Sequence, residues 1–373
     1  MKNAKISGHR LLKAIVSGTL GAALILGTLS GCGGSSASTA GSAGKSGSTA
    51  SAGNASVAGK TDDDNFHITI KLSHVFQPAE QVYKTMEAIG KSVTEKTQGH
   101  VTIQVFGQGQ LSVYNDSLEQ VKRGANWIAV EEPSLLGDYV PDFAALIGPM
   151  LYQNNDEWEK IQDTDLYKDM AKKAKDQGFH ILSMDYEFGF RSLCTNKAIK
   201  EPSDLKGMKL RSTESPLFVK TIEAMGAAAT PMAFTECISA IQTGTVEGFE
   251  GSESTLLGTG AYEVVKNVSL TRHFIATRGA YINEKVYNSI PEKYRKILDE
   301  EFAKGAKDCR AASEKDQAGT VEKLKSDGVK FNDVDLDAFT KSCNSVYDWL
   351  VSDKKCTPGI HDKLLAELKK MRG

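Results

Sequence analysis

Two hydrophobic registers alternate along the first half of the chain. At residues 67–73, Ile68, Ile70 and Leu72 share one face at a period of two, which predicts a half-buried strand. Over residues 79–97, Val82, Met86, Ile89 and Val93 recur at spacings of three and four, the mark of a helix with one apolar face. Gln98-Gly99 ends it, and residues 101–106 resume the strand pattern. A turn at Gly107 to Gly109, a helix at 114–123 and a strand at 127–130 repeat the alternation, which predicts a mostly parallel sheet with helices on its faces.

A single helix over 157–177 leads to a strand at 180–184. Strands follow at 190–195, 208–211 and 246–250, with a helix at 216–225 and another running to Gln242 with Thr235 as its N-cap. This second α/β unit covers about residues 189–272. After a strand at 280–283 the pattern turns helical. Pro291 suits a helix start, and the apolar period continues to Ser326, about 54 Å at 1.5 Å per residue. Helices at 336–350 and 360–371 finish the chain.

The first 64 residues carry no such pattern. Lys2, Lys5, Arg10 and Lys13 precede 18 uncharged residues, Ala14 to Gly31, in the layout of a secretory signal peptide. Leu29-Ser30-Gly31-Cys32 resembles a lipobox, which implies cleavage before Cys32 and a diacylglycerol on its sulfur; an uncleaved membrane helix is the alternative. From Gly33 to Lys60, all residues but Lys45, Asn54, Val57 and Lys60 are Gly, Ser, Ala or Thr. Such a segment has too little apolar surface to offset its ordering entropy and predicts a tether of about 30 Å reach.

The formal charge is −2, and loss of the four basic leader residues takes it to −6, which argues against nucleic acid as a partner. Past Cys32 the chain has Cys194, Cys237, Cys309, Cys343 and Cys356. Cys343 and Cys356 are near enough in sequence to bridge a small loop. No Cys/His cluster has zinc spacing, and no Walker loop, GxSxG elbow, HExxH or kinase set is present, so neither a metal, a cofactor nor catalysis is expected.

More chemistry is concentrated between Phe190 and Gly251. Arg191 and Arg211 lie on predicted strands, and a guanidinium can meet a carboxylate with two parallel hydrogen bonds. Without further context, an arginine at a strand edge is as well explained by a surface ion pair. Asp204 to Arg211 reads DLKGMKLR, Thr230 to Glu236 reads TPMAFTE, and Glu247 to Glu250 reads EGFE. Together with Gly109 to Leu111 and the helix start at Pro291, these resemble the DctP-like solute-binding receptors of tripartite ATP-independent periplasmic (TRAP) transporters, over essentially the whole body.

The resemblance implies an α/β fold of two lobes, like other periplasmic binding proteins, with a cleft between them and a long C-terminal helix spanning both. It divides the chain into a signal peptide (1–31), a lipidated Cys32 with its linker (32–64), lobe one (65–188 plus 277–316) and lobe two (189–276 plus 317–373). It also implies that Arg211 pairs with a ligand carboxylate, that Arg191 is the second arginine, and that Phe234 is an aromatic wall. Glu132 and His74 would be polar strand ends of lobe one. Glu250 ends the EG-E motif and Gly251 follows it, where many acid-binding members continue with Asn and Pro; a Gly there implies extra volume and a bulkier acid. The implied role is an extracytoplasmic, lipid-anchored receptor that hands a small organic acid to TRAP permease subunits. Receptors for ATP-driven importers or sensor kinases, and extracytoplasmic enzymes acting on small acids, are the rival readings.

Overall fold

The computed structural model describes residues 65–373. The expected leader, the lipidated Cys32 and the tether lie outside the described residues. Strand β1 (Ile68–Ser73) is followed by α1 (Gln81–Lys96), β2 (Val101–Phe106), α2 (Tyr114–Lys122) and β3 (Trp127–Glu131). Helices α3 (Asp142–Leu146), α4 (Asn155–Ile161) and α5 (Asp165–Asp176) then lead to β4 (Phe179–Ser183). The expected single helix at 157–177 is thus two. Thr164 caps the second by accepting the Tyr167 N–H at 3.3 Å, as Asn154 caps the first through the Glu157 N–H at 3.0 Å, and this local side-chain bonding competes with a continuous ladder.

The next stretch holds β5 (Phe190–Thr195), β6 (Lys209–Ser212), α6 (Pro216–Met225), β7 (Ala228–Pro231) and α7 (Phe234–Gln242). It continues with β8 (Gly248–Gly251), α8 (Glu253–Gly258) and β9 (Asn267–Ile275). Helix α7 starts with Ala233 as N-cap and no side-chain cap, so Thr235 lies inside the first turn and does not cap it. Strand β9 was not expected, because buried Thr271 and His273 with exposed Arg272 hide its alternation. The chain ends with β10 (Gly279–Asn283), α9 (Glu284–Ser289), α10 (Glu292–Ser326), β11 (Lys330–Asn332), α11 (Leu336–Ser352) and α12 (Ile360–Arg372).

These strands form two sheets, in the orders β2-β1-β3-β10-β4 and β11-β9-β5-β8-β6-β7. In the first, β1 runs parallel to β2 and β3, and β10 is antiparallel to both its neighbours. In the second, β6 is parallel to β7 and β8, while β5 is antiparallel to β8 and β9. The chain passes from the first sheet to the second between β4 and β5, returns between β9 and β10, and reaches the second sheet's side again along α10. The molecule is a two-lobed α/β fold.

Helix α10, 35 residues and about 52 Å long, joins both cores. Leu298, Phe302 and Cys309 pack with Met86 and Ile70 beneath the first sheet, and Leu324 packs with Cys237, Phe249 and Val268 beneath the second. On the first sheet's other face, Trp158, Phe143 and Tyr281 form a core that continues into Phe218 of α6 and Phe274 of β9. Leu350, Leu364 and Leu368 belong to this shared core, so α12, expected with the second lobe, packs against α3 and α4. Cys343 and Cys356, expected to be close enough to bridge, are free thiols in separate hydrophobic clusters; the other three described cysteines are also free, Cys194 and Cys237 in one cluster and Cys309 in another.

Candidate functional site

Parallel strands end at a common edge, and both sheets turn such an edge toward one small, narrow cavity. Its first-lobe wall is Val75 and Phe76 just after β1, Glu80 before α1, Tyr114 opening α2, and Arg278 just before β10. Its second-lobe wall is Arg191 of β5, Arg211 and Thr213 at the end of β6, Phe234 opening α7, and Thr255 of α8. Arg191, Arg211 and Arg278 are 5%, 2% and 6% exposed, so three guanidinium groups are held almost out of water around one small space.

Each arginine is held differently. Arg191 makes a two-pronged ion pair with Glu250, Nε to Oε2 at 2.5 Å and Nη2 to Oε1 at 2.7 Å, and stacks over the Phe218 ring. Burial pushes the Glu250 carboxyl up, but the Arg191 guanidinium more than offsets this and holds it down at about 2. His273 lies behind the pair, its Nε2 3.7 Å from Glu250, and burial lowers its pKa against the opposing pull of the Glu250 carboxylate.

Arg211 gives both its hydrogen bonds to one backbone oxygen, Met232 O, at 3.0 and 2.9 Å, and lies over the Phe234 ring. Arg278 donates to Thr277 O at 2.7 Å and lies over the Phe76 and Phe188 rings, which meet edge to face and have both centroids 5.3 Å away from it. Among the described residues neither has a carboxylate in ion-pair contact. Burial and the like charge of Arg191 lower the Arg278 pKa, yet a guanidinium stays protonated. Two buried cations therefore face the cavity without a carboxylate in direct contact among the described residues, although the carboxyls of Glu131, Glu132 and Glu80 act on Arg278 from further off, and that excess of unpaired positive charge suits an anion.

The sequence had pointed to Arg211, Arg191, Phe234, Glu250, Gly251, Glu132 and His74. Arg191, Arg211 and Phe234 line the cavity together, and Glu250 stands directly behind Arg191. Glu132 is buried just past β3, where it accepts the Ser134 N–H at 3.2 Å and the Ser134 hydroxyl; Ser134 in turn meets Ser215 across the cleft at 2.7 Å. Burial raises the Glu132 pKa, so it sits behind the wall as a weakly acidic group.

His74 does not line the cavity. Its Nδ1 accepts the Phe76 N–H at 3.2 Å, which shapes the turn that presents Phe76, and burial lowers its pKa to about 4. Gly251 does not line it either. A Cβ there would come 2.8 Å from the Phe249 ring, so the volume expected to enlarge the site is occupied by Phe249, which meets Phe234 edge to face at 5.4 Å.

Arg278, Glu80, Tyr114, Thr213 and Thr255 escaped the sequence reading. Tyr114 is instructive: its φ of 55° is unusual for a bulky residue, and Glu131 holds it by accepting its N–H at 2.7 Å. The Tyr114 hydroxyl in turn accepts the Phe234 N–H across the cleft at 3.1 Å. A larger groove near the chain crossings, bordered by Gly189, Arg272 and Arg310, has mixed charge. It lacks the converging cations of the cleft.

Two α/β lobes meeting on a buried basic cavity define a solute-binding protein. The chain belongs to the DctP family of TRAP receptors: the family model described as bacterial extracellular solute-binding protein, family 7, matches residues 72–354. Similar solved structures include three TRAP receptors with bound ligands. A TRAP periplasmic solute-binding protein from Desulfovibrio salexigens, in complex with diglycerolphosphate, is 49% identical, with a TM-score of 0.80 over 82% of this chain and 98% of that one. One from Fusobacterium nucleatum with bound sn-glycerol-3-phosphate is 39% identical, with the same TM-score and coverage. One from Actinobacillus succinogenes with bound L-galactonate is 31% identical, with a TM-score of 0.76 over 81% of this chain and 100% of that one. No helix among the described residues is long and apolar enough to cross a membrane, and no described group of His, Cys, Asp and Glu has the arrangement of a metal site.

Proposed function

We propose that the protein is the extracytoplasmic receptor of a TRAP system, capturing a small organic acid between its lobes and delivering it to the membrane permease. The observation that carries this reading is the pair of buried guanidinium groups, Arg211 and Arg278, that face one cavity with no carboxylate in ion-pair contact among the described residues. An acid entering between them supplies the missing charge, and its contacts to both walls are stronger in the closed form than in an open one, which is what ligand-driven closure requires. Delivery without chemistry fits a receptor and not an enzyme. Lipidation at Cys32 and the Gly/Ser/Ala tether would keep the body within reach of the permease.

The acid was expected to be a carboxylate. The 49% and 39% identical relatives hold phosphate esters of glycerol, and the 31% identical one holds a sugar acid. Phosphate esters of glycerol are accordingly the first ligands to try here, with sugar acids as the second reading, favoured by the KLR motif ending in Arg211. A thermal-shift screen with sn-glycerol 3-phosphate, diglycerol phosphate and L-galactonate tests this. Binding at 100 times Kd stabilises the native state by about 2.7 kcal/mol, so a clear rise in Tm is expected for at least one. No shift with any small acid would overturn the reading, and an ATPase gene in place of paired permease genes beside the receptor gene would redirect it to another importer.

A further inference from the structure

Glu80 is out of keeping with the rest of the cavity, since it places a carboxyl in the wall of a site built for an anion. It is also held from both sides of the cleft. Its Oε2 accepts the Gln77 N–H at 2.8 Å, and its Oε1 accepts the Thr255 hydroxyl at 3.2 Å from the opposite lobe. Helix α8 comes so near that a Cβ at Gly258 would lie 2.6 Å from the Glu80 Cγ, so the absence of a side chain there lets the two lobes close around this carboxyl. Each carboxylate oxygen has two lone-pair directions, so these bonds leave acceptor capacity on both.

An acid whose charged end lies among the arginines is repelled by Glu80 unless its other end offers an O–H. We propose that Glu80 is a specificity-determining residue: it accepts a hydroxyl at the end of the ligand remote from the acid group, so that the receptor selects polyhydroxylated acids over unsubstituted acids of the same length. This rests on the anion-receptor reading above. Burial supports it by raising the Glu80 pKa to about 7, which softens the repulsion of an approaching anion and leaves the acceptor in place. The Thr255 bond couples this acceptor to the closed cleft, so the hydroxyl is read as the lobes meet. Tyr114 supports the same selection, because its hydroxyl accepts the Phe234 N–H and keeps its own proton for an acceptor in the cavity.

Calorimetry on wild type, Glu80→Gln and Glu80→Leu with matched probes tests the proposal. The pairs are sn-glycerol 3-phosphate against propyl phosphate, and L-galactonate against hexanoate. Wild type is expected to prefer the hydroxylated member of at least one pair by tenfold or more. Glu80→Leu is expected to lose at least tenfold for that member with no loss for its partner, and Glu80→Gln, which keeps an acceptor and the side-chain shape, to fall between. Equal losses for both members would make Glu80 a structural latch and overturn the proposal, as would a wild type that binds a pair without preference. Should wild type bind neither pair nor any other small acid in the thermal-shift screen, the anion-receptor reading fails and this one with it; if another small acid binds while both pairs fail, the proposed selection for these hydroxylated acids is overturned alone. If Glu80→Leu does not fold, the wild-type preference and the near-isosteric Glu80→Gln still decide between the two roles.

Discussion

Arg191 and Arg211 reach the same cavity from strands on either side of β8, yet the protein treats their charges in opposite ways. Arg191 arrives with its counter-ion: Glu250 meets it with two bonds, and His273 backs the pair. Arg211 has a backbone oxygen and an aromatic face, and no carboxylate. The first arrangement is complete before any ligand arrives and makes a rigid wall. The second leaves a buried cation unneutralised, and in the receptor role proposed above its completion would be left to the ligand. Charge compensation thus separates residues that build the site from residues that use it, although all are equally buried.

The strongest way to break this contrast is to remove Glu250. Glu250→Ala strands a buried guanidinium, and urea unfolding should show a loss of about 3–5 kcal/mol. A loss below about 1 kcal/mol would mean that Arg191 is free to find other partners, and the distinction from Arg211 would fall. Arg211→Ala should behave in the opposite sense. With sn-glycerol 3-phosphate or L-galactonate, whichever binds, calorimetry should show affinity weakened by about 2–5 kcal/mol, with unliganded stability close to wild type. Unchanged affinity would move the anion elsewhere in the cavity.

The smallest expected effect extends the contrast to carboxyls. Glu187, near the chain crossing, is as buried as Glu250, but both its oxygens lack a hydrogen-bond partner and Arg310 stands 3.9 Å away. Burial pushes it up to about 9, where pairing holds Glu250 at about 2. A raised carboxyl keeps its proton in the folded state while the unfolded chain releases it above its ordinary value near 4.5. Stability from this group is therefore complete in acid and declines as pH rises from about 4.5 toward 9. Glu187→Gln should remove that decline, raising stability at pH 8 by about 1–2 kcal/mol and leaving it unchanged at pH 4, as measured by thermal melts. An equal change at both pH values would place its proton elsewhere.

Much of the architecture could be read directly from the chain, because local periodicity decides it. The strands at 101–106 and 190–195 and the helix at 216–225 appear where the alternation and the Pro at a helix start place them. Strand β9 was hidden because its buried residues include Thr and His, and hydropathy carries no trace of burial achieved by pairing. In the cavity, Arg211 stood out through its motif. Arg278 did not, because its position depends on how the return crossing between sheets delivers it against Phe76 and Phe188, both far from it in sequence. Glu80 and Thr255 likewise gain meaning only when two lobes bring them together.

Helix α10 has buried residues from Tyr294 to Cys309 and again at Leu324, and none between. It is clamped in one core at its front, in the other near its tail, and supported across the middle mainly by polar contacts such as those of Arg310 with Asp156, Glu159 and Glu314. A beam clamped at both ends with a lightly packed span can bow without disturbing either anchorage. In the hinge closure proposed above, gaping of the lobes would bend this span, so its elastic stiffness would supply a restoring torque, and the rest angle of the empty receptor would become a property of helix mechanics as much as of the cleft.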